Sequence, residues 1–567
     1  MLSRKDATTF LKREFTGRRL IWTISWWGTH FAFFAYGWWS QYTNAKLAAL
    51  NGLKYSVWTS RGAGLVLAFD GGLILLPVLR NIITAIRPAL QKVFPVDENL
   101  WFHRQVAYQL LLWTIVHTTA HYVNFINVER TQVREEIAVQ IHYAQAGGIT
   151  GHAMLLIMFL MYTTAHSSIR KQCFEAFWYT HHLAFFFMLA LYTHATGCFV
   201  RDSVDPDYIP TFPFYSTEHC LGYLSWRYII WPGIIYFGER VYRQVRAARA
   251  TEILKVLYHP GNVMEIRFKK PSMKYKAGQW LFLNVPDVSG WQWHPFTISS
   301  APEDPFISVH VRQVGDFTME LGERLGATPD VHRISAAKGF EDLPEKRGLD
   351  EVSVGLGGGR AVEVLPEPGR GMPKLRIDGP FGAPAEDVFG SEVAVLVAAG
   401  IGVTPFASIL KHIWYAQQAG KMGRLRRVEF VWTCRDTASF GWIKDLLEEL
   451  EEAQRGSEFL RISIYLTQKM GSDEVHNIAI NDVGQEFDPL TKLRSRTLFG
   501  RPDFKSFFET LAASIDNGTY LPGREARLKN RVGVYYCGPN PLARTVRSEC
   551  LKVKSSTLDV RFAKEHF

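Results

Sequence analysis

The sequence predicts a multidomain membrane protein: six spanning helices, then a soluble strand-rich region, then a soluble α/β region. Three observations carry that prediction. The chain has 567 residues, enough for roughly two to four domains. Its residues are 47% hydrophobic and 21% charged, with 17 Trp and 38 Phe, too apolar for a disordered chain. A mean hydropathy of -0.05 excludes a chain lying wholly in lipid, and the pattern changes near residue 250. Long apolar stretches there give way to short alternating runs, Gly/Pro turns and amphipathic helices, as in soluble α/β proteins.

Residues 21 to 40, IWTISWWGTHFAFFAYGWWS, contain no Asp, Glu, Lys or Arg, and a helix of that length crosses the ~30 Å hydrocarbon layer. The preceding segment is basic and no small-residue cleavage site follows, so the stretch is an uncleaved anchor with a cytosolic N-terminus. Further apolar stretches lie at about 62 to 79, 105 to 123, 149 to 165, 174 to 197 and 221 to 238. Six spans return the chain to the cytosol. Loop charges agree: Arg80, Arg87, Lys92 and Arg104, then Arg170 and Lys171, then Arg240, Arg243, Arg246 and Arg249 fall on the side that retains basic loops. The loop with Lys46, Lys54 and Arg61 fits less well. The domains expected are a cytosolic segment at 1–20, a membrane domain at 21–250, a strand-rich domain at 251–385 and an α/β domain at 386–567. Residues 322–377, with GLGGGR and PEPGRGMP, are expected to be a flexible insertion or lid.

Eleven of the 18 His precede residue 250, although an imidazole at bilayer depth is costly and marks a pathway or a ligand. His103 and His117 are 14 residues apart on the third span, a separation of about 21 Å that returns within about 40° of one helix face. His181 and His194 are 13 apart on the fifth, about 140° apart on an ideal helix, so that span needs a bulge. Paired as His103 with His181 and His117 with His194, they would clamp two haem irons axially, one in each leaflet. His30, His142, His152, His166 and His219 are assigned to ordinary helix contacts. With six Cys and no C-x-x-C pair, neither a disulfide framework nor a cysteine zinc site is expected, and any metal is held by other ligands.

The soluble half carries dinucleotide signals. GQWLFLNVPDVSGWQWHPFTISSAPED (278–304) has the character of a flavin shelf, with His294, Pro295, Phe296 and Thr297 along the isoalloxazine and ribityl chain. Arg312 would neutralise the pyrophosphate, followed by Gly315, Asp316, Phe317 and Thr318 on a turn. VAVLVAAGIGVTPFASIL (393–410) is a buried strand, a Gly-rich turn and a helix whose N-terminus would hold phosphate. Gly400, Gly402 and Thr404 allow close backbone approach, and Pro405 suits a first helical turn. FVWTCRD and VYYCGPNPL put Cys434 and Cys537 at strand ends, where open α/β sheets bind ligands, while Arg435 and Arg501 suit a 2′-phosphate and hence NADPH.

FHRQVAYQLLLWTIVHTTAH, FEAFWYTHHL, HPFTISSAPED, VGDFT, DGPFG, GIGVTPFASIL, WTCRDTASF, FGRPDF, YYCGPNPL and the terminal KEHF together resemble the NADPH oxidase family, particularly its phagocyte and fungal branches. The resemblance spans nearly the whole chain apart from 322–377. It implies a six-helix transmembrane bis-haem bundle, a ferredoxin-reductase-like flavin β-barrel and a Rossmann-like α/β NADPH-binding domain, with FAD and two b-type haems as cofactors. His103 and His181 would ligate the inner haem, His117 and His194 the outer one, and Phe567 would cap the flavin ring. Gly400 to Pro405, Arg435, Arg501, Cys537, Gly538 and Pro539 would shape the NADPH site. Arg61 and His121 would lie on the oxygen-reducing side, where a cation and a hydrogen-bond donor stabilise a forming anion.

The expected reaction runs from cytosolic NADPH through FAD and both haems to molecular oxygen, giving superoxide on the far face of a plasma membrane or endomembrane. The N- and C-termini would both be cytosolic. No EF-hand motif precedes the first span, so the resemblance implies partners that include a small membrane subunit, cytosolic regulatory subunits and a small GTPase. A ferric-chelate reductase of the same architecture is the alternative, and a proton-conducting or sensing bundle a further one. Nucleic acid is not an expected partner, because the basic residues flank spans and form no single patch. Cys198 and Cys220 share the fifth-to-sixth loop and are a candidate disulfide or free thiols. The Asn517 sequon lies on the cytosolic side and is expected to carry no glycan.

Overall fold

In the computed structural model the apolar stretches fold as helices, several of which run on into charged residues at their ends. The structure describes residues 17–44, 51–91, 96–131, 137–144, 146–194, 226–328, 361–366, 369–454, 456–468, 486–491, 493–521, 529–553, 555, 557 and 558–565. The chain divides into two compact units, Met1–Val241 and Tyr242–Phe567. The division falls inside the helix Trp226–Ala248, just past the sixth expected span and a few residues before the change in sequence character near 250.

The first unit contains α1 (Gly17–Tyr42), α2 (Tyr55–Leu73, continued by a 3-10 turn at Leu76–Val78), α3 (Arg80–Leu90), α4 (Asn99–Thr131), α5 (Ala138–Ala144) and α6 (Ala146–Ala165). Then come α7 (Ser167–Gln172), α8 (Phe174–His181), α9 (Ala184–His194) and α10 (Trp226–Ala248), the last crossing the division. Among the described residues, Tyr55–Val78 and Gly147–Ala165 combine spanning length with mean hydropathies of 1.5 and 1.4. Helix α1, with 26 residues, and α4, with 33, also reach spanning length. Helix α2 packs against both α1 and α4, and α6 against α8 and α9. The close crossing of α1 and α2 depends on Gly62, where a Cβ would stand 2.7 Å from the Phe34 carbonyl oxygen; small residues at such crossings let membrane helices approach. Ile21, Trp39, Leu156, Phe159, Phe185 and Phe237 are exposed, while His30, Ser60, Asp70, Gln109 and Asn124 are buried. Polar atoms inside and apolar ones outside suit a lipid surround.

The fifth span is not one helix. It breaks between α8 and α9, where Leu183 N–H donates to Thr180 O at 3.0 Å and Phe185 N–H to His182 O at 3.1 Å. Such i→i+3 bonds wind by ~120° per residue where an α-helix winds ~100°. That extra rotation reduces the angular mismatch between His181 and His194 which the sequence spacing exposed. Helix α3 was not anticipated, and Arg87, expected as a loop charge, is buried against Asp97 at 2.7 Å.

The second unit opens with two small antiparallel sheets, ordered β5-β2-β1-β6 and β4-β3-β7. Their strands are β1 (Glu252–His259), β2 (Val263–Lys269), β3 (Trp280–Asn284), β4 (His294–Thr297), β5 (Ile307–Arg312), β6 (Val362–Val364) and β7 (Arg376–Phe381). Val256, Ile266, Leu281, Leu283, Ile298, Val309 and Ile377 fill the core between them, and α11 (Asp316–Leu325) follows β5. The expected 322–377 insertion is therefore too wide. Residues 322–325 end α11, which closes on left-handed Gly326, and β6 pairs with β1. Residues 329–360 lie outside the described residues.

A six-stranded parallel sheet follows, ordered β11-β10-β9-β8-β12-β13. It contains β8 (Val393–Ala399), β9 (Arg427–Cys434), β10 (Leu460–Leu466), β11 (Leu498–Phe499), β12 (Asn530–Cys537) and β13 (Leu558–Lys564). Its helices are α12 (Thr404–Gln418), α13 (Lys444–Ala453), α14 (Phe504–Asp516) and α15 (Asn540–Lys552). β8 is buried on both faces, with Leu396 and Ala398 in one core and Val395 and Val397 in the other, which explains its unbroken apolar run. Strand order reverses between β8 and β12, the place where such sheets open a ligand crevice at the carboxyl ends.

Candidate functional site

Helix α4 presents His103 and His117 on one side, and the broken fifth span ends both of its pieces in histidine, His181 and His194. The rings of His103 and His181 have centroids 6.2 Å apart at 69°, and those of His117 and His194 are 6.2 Å apart at 59°. A metal between two imidazoles, with ~2.0 Å to each nitrogen and about 1.1 Å from nitrogen to ring centre, requires about 6.2 Å. Both pairs fit a six-coordinate haem iron by that test. The nitrogens facing away are held: His103 Nδ1 is 3.0 Å from Ile74 O, His117 Nδ1 2.9 Å from Ser60 O, and His194 Nδ1 2.9 Å from Thr150 Oγ1. Such contacts fix the tautomer and aim Nε2 at the iron. His181 Nδ1 makes no hydrogen bond. Gly64 and Gly151 give the rings room, since a Cβ on either would stand 3.4 and 3.3 Å from His117 and His194 Cε1.

Beside the His117–His194 pair, the His121 ring lies 4.4 Å from that of His117, and Arg61 on α2 is near enough for its charge to act on both. Asn124 Nδ2 donates to Ser60 Oγ at 3.1 Å, tying α4 to the turn of α2 whose carbonyl holds His117. Ser60, Ile74 and Thr150 were not legible as site residues, because two of them act through backbone carbonyls. His30, assigned to ordinary helix contacts, is buried with Nε2 2.9 Å from Asp70 Oδ1 and Nδ1 2.7 Å from Trp26 O. Tyr122 OH lies 2.9 Å from His152 Nε2, with the His142 ring 4.4 Å from Tyr122.

In the second unit, His294, Pro295, Phe296 and Thr297 form β4, paired with β3. The His294 ring stacks on Phe317 at 3.9 Å and 19°. Phe317 is itself buried in the strand-domain core, so it supports His294 from beneath. Asp316, Phe317 and Thr318, expected on a turn, are the first turn of α11, with Gly315 as its N-cap. The Thr318 hydroxyl accepts from the Val314 and Gly315 amides at 3.1 Å. Exposed Arg312 stands at the end of β5, beside a helix N-terminus, and the two together are a source of positive potential.

The carboxyl edge of the parallel sheet gathers the remaining sequence-predicted residues. Gly400, Gly402, Thr404 and Pro405 follow β8, Arg435 follows β9, Arg501 follows β11, and Cys537, Gly538 and Pro539 end β12. A Cβ on Gly402 would fall 2.5 Å from Cys537 O, and one on Gly538 2.8 Å from Ala399 Cβ. The two turns therefore press together as only glycines allow. Trp432 Nε1 donates to Gly400 O at 3.1 Å, and Tyr536 OH to Pro539 O at 2.8 Å. Arg435 and Arg501 are exposed beside this edge. Burial pushes the Cys434 and Cys537 thiols well up, so both are neutral core side chains and not nucleophiles. Asp378 of DGPFG is buried and takes Arg243 Nε at 2.6 Å and Arg246 Nε at 3.1 Å. Two arginines expected as loop charges are thus committed to one carboxylate. Phe567, Cys198, Cys220 and His219 lie outside the described residues.

Three family descriptions match in succession: ferric reductase like transmembrane component at 63–192, FAD-binding domain at 248–385 and ferric reductase NAD binding domain at 391–551. They define a transmembrane flavin oxidoreductase with a nicotinamide-binding domain, and make this an integral membrane protein. The chain is 34% identical over 566 residues to a superoxide-generating NADPH oxidase heavy chain of Dictyostelium discoideum, covering 97% of each chain. It is 31% identical to NADPH oxidase 1 of Mus musculus, covering 97% of this chain and 93% of that one. It is also 31% identical to NADPH oxidase 3 of Homo sapiens, covering 94% and 95%. The chain belongs to the NADPH oxidase family.

Proposed function

We propose that this protein oxidises cytosolic NADPH and reduces molecular oxygen to superoxide on the opposite face of the membrane. The carrying observation is the two imidazole pairs, each at 6.2 Å, stacked along α4 as a route through the bilayer. Bound FAD supplies the conversion of a hydride into single electrons, and two bound b-type haems supply their passage through lipid. For each NADPH oxidised to NADP⁺, a proton is released and two electrons leave, one to each of two oxygen molecules.

His103, His181, His117 and His194 would hold the irons, while Ile74 O, Ser60 O and Thr150 Oγ1 set three of the four rings. Gly400, Gly402 and Gly538 let the dinucleotide backbone approach the sheet edge, and Arg435 and Arg501 pair with its 2′-phosphate. Arg312 and the α11 N-terminus hold the flavin pyrophosphate, and His294 on its Phe317 support lines the flavin. Arg61 and His121 orient oxygen beside the outer pair and stabilise its charge as it forms. Six spans with cytosolic termini place the nucleotide domains on the NADPH side. The enzyme is activated by a small membrane subunit, by cytosolic regulatory subunits and by a small GTPase.

Purified full-length protein in detergent, supplied with NADPH and FAD, should reduce cytochrome c in a manner abolished by superoxide dismutase, with reduced b-type bands under anaerobic conditions. Reduction of chelated Fe(III) with no oxygen consumption would assign the chain to ferric reduction instead. A colourless preparation would leave a sensing or proton-conducting bundle.

A further inference from the structure

We propose that His259, Glu265 and His310 form a divalent-metal site of the zinc class in the second unit, distinct from the imidazole pairs and the nucleotide edge. The three residues sit on adjacent antiparallel strands. Glu265 on β2 lies opposite His310 on β5, and His259 ends β1 opposite Val263. Strand alternation directs them to one sheet face, away from the core face of Val256, Tyr258, Met264, Ile266, Val309 and Val311. One ligand atom from each lies within 4.8 Å of the others, and the two imidazole centroids are 5.3 Å apart.

Two of the three residues are buried, and the ring nitrogens are short of hydrogen-bond partners. His259 and Glu265 are 5% and 4% exposed, yet neither His259 ring nitrogen makes a hydrogen bond, and His310 Nε2 makes none. His259 Nε2 stands 3.5 Å from Glu265 Oε2. Buried polar nitrogens are nearly always engaged, and a cation would engage these lone pairs together. An outer shell is already in place. Ser299 Oγ is 2.8 Å from His310 Nδ1, and Arg267 Nε and Nη2 hold the two Glu265 oxygens at 2.9 and 3.0 Å, contacts that orient ligands in metal sites.

Two imidazoles, one carboxylate and an open fourth position match zinc, and small side-chain rotations would bring the donors to the about 3.4 Å separations of a tetrahedral shell. The opposing influence is the Arg267 charge, with which a bound cation would share the Glu265 carboxylate; that side chain is 33% exposed. Such an ion would brace the strand domain against the parallel-sheet region. His259 leads into Pro260, whose carbonyl accepts from Trp442 Nε1 at 2.8 Å.

The test uses haem-replete full-length protein in detergent, loaded with zinc chloride and desalted, with zinc per polypeptide measured by mass spectrometry and the metal shell by zinc-edge X-ray absorption. The wild type should retain about one zinc with two imidazoles and a carboxylate in its shell, and H259N and H310N should each retain less than about a tenth of it. Equal zinc in wild type and variants, or a wild-type shell with fewer than two imidazoles, would overturn the proposal. If a variant loses its flavin absorption, the wild-type shell alone decides: two imidazoles uphold the site and fewer refute it.

Discussion

The paired histidines of the first unit and the buried carboxylates of the second are held by different means. In the first, the paired imidazoles rest on neutral acceptors and hydroxyls: Ile74 O, Ser60 O and Thr150 Oγ1. In the second, buried polar side chains are held by ion pairs, Asp378 with Arg243 and Arg246, and Glu265 with Arg267. Lipid explains the contrast. An ion in hydrocarbon is expensive, whereas a neutral imidazole needs one partner, which a carbonyl or hydroxyl of a neighbouring helix supplies for three of the four rings. Asp70, paired with His30 at 2.9 Å, shows that a carboxyl is carried at membrane depth where it has a dedicated partner.

Removing an imidazole should have the largest effect. H117L or H194L is expected to halve the haem content measured as pyridine haemochrome and to abolish superoxide output; retention of both haems would break the assignment of the pairs. D378N should come next. Two arginines would lose a partner that is 3% exposed, a loss of about 3–5 kcal/mol, read as an earlier denaturant midpoint of flavin release. A shift under about 1 kcal/mol would mean that the second unit does not depend on its ion pairs.

R61L tests the outer side. Loss of one electrostatic stabiliser should lower superoxide production about 10²-fold while NADPH-dependent reduction of ferricyanide is unchanged. A parallel fall in both activities would remove Arg61 from the oxygen site. The smallest effect is expected from T150V, which frees His194 Nδ1 and should speed outer haem loss about 10-fold, with the inner haem spectrum unaltered. Equal effects on both haems would show that Thr150 acts on the bundle and not on one ring.

Much of this was legible from residue order. The four histidines could be paired because spacing along a helix converts directly into height and angle, and the glycine turn after β8 because phosphate-binding loops need residues without side chains. The broken fifth span was legible only as a mismatch between His181 and His194, since a break is set by hydrogen bonds that residue type does not encode. Ile74 and Ser60 stayed hidden because their carbonyls, not their side chains, do the holding. The 322–377 stretch looked flexible by composition, yet its two ends are a helix and strands. Their apolar residues, Leu321, Leu325 and Val364, find the barrel core, which local composition cannot reveal.

By itself the sequence determined the order of the domains, the apolar stretches, the spacing of the histidines and the glycine turns at the sheet edge, all consequences of local spacing and of side-chain chemistry. Tertiary structure alone decided which polar atoms meet. It brought Arg243 and Arg246, expected as loop charges, onto Asp378, set Phe317 beneath His294, and placed His259 and His310 around Glu265. Those contacts join residues far apart in the chain, and they depend on how strands register and helices cross, which no local pattern specifies.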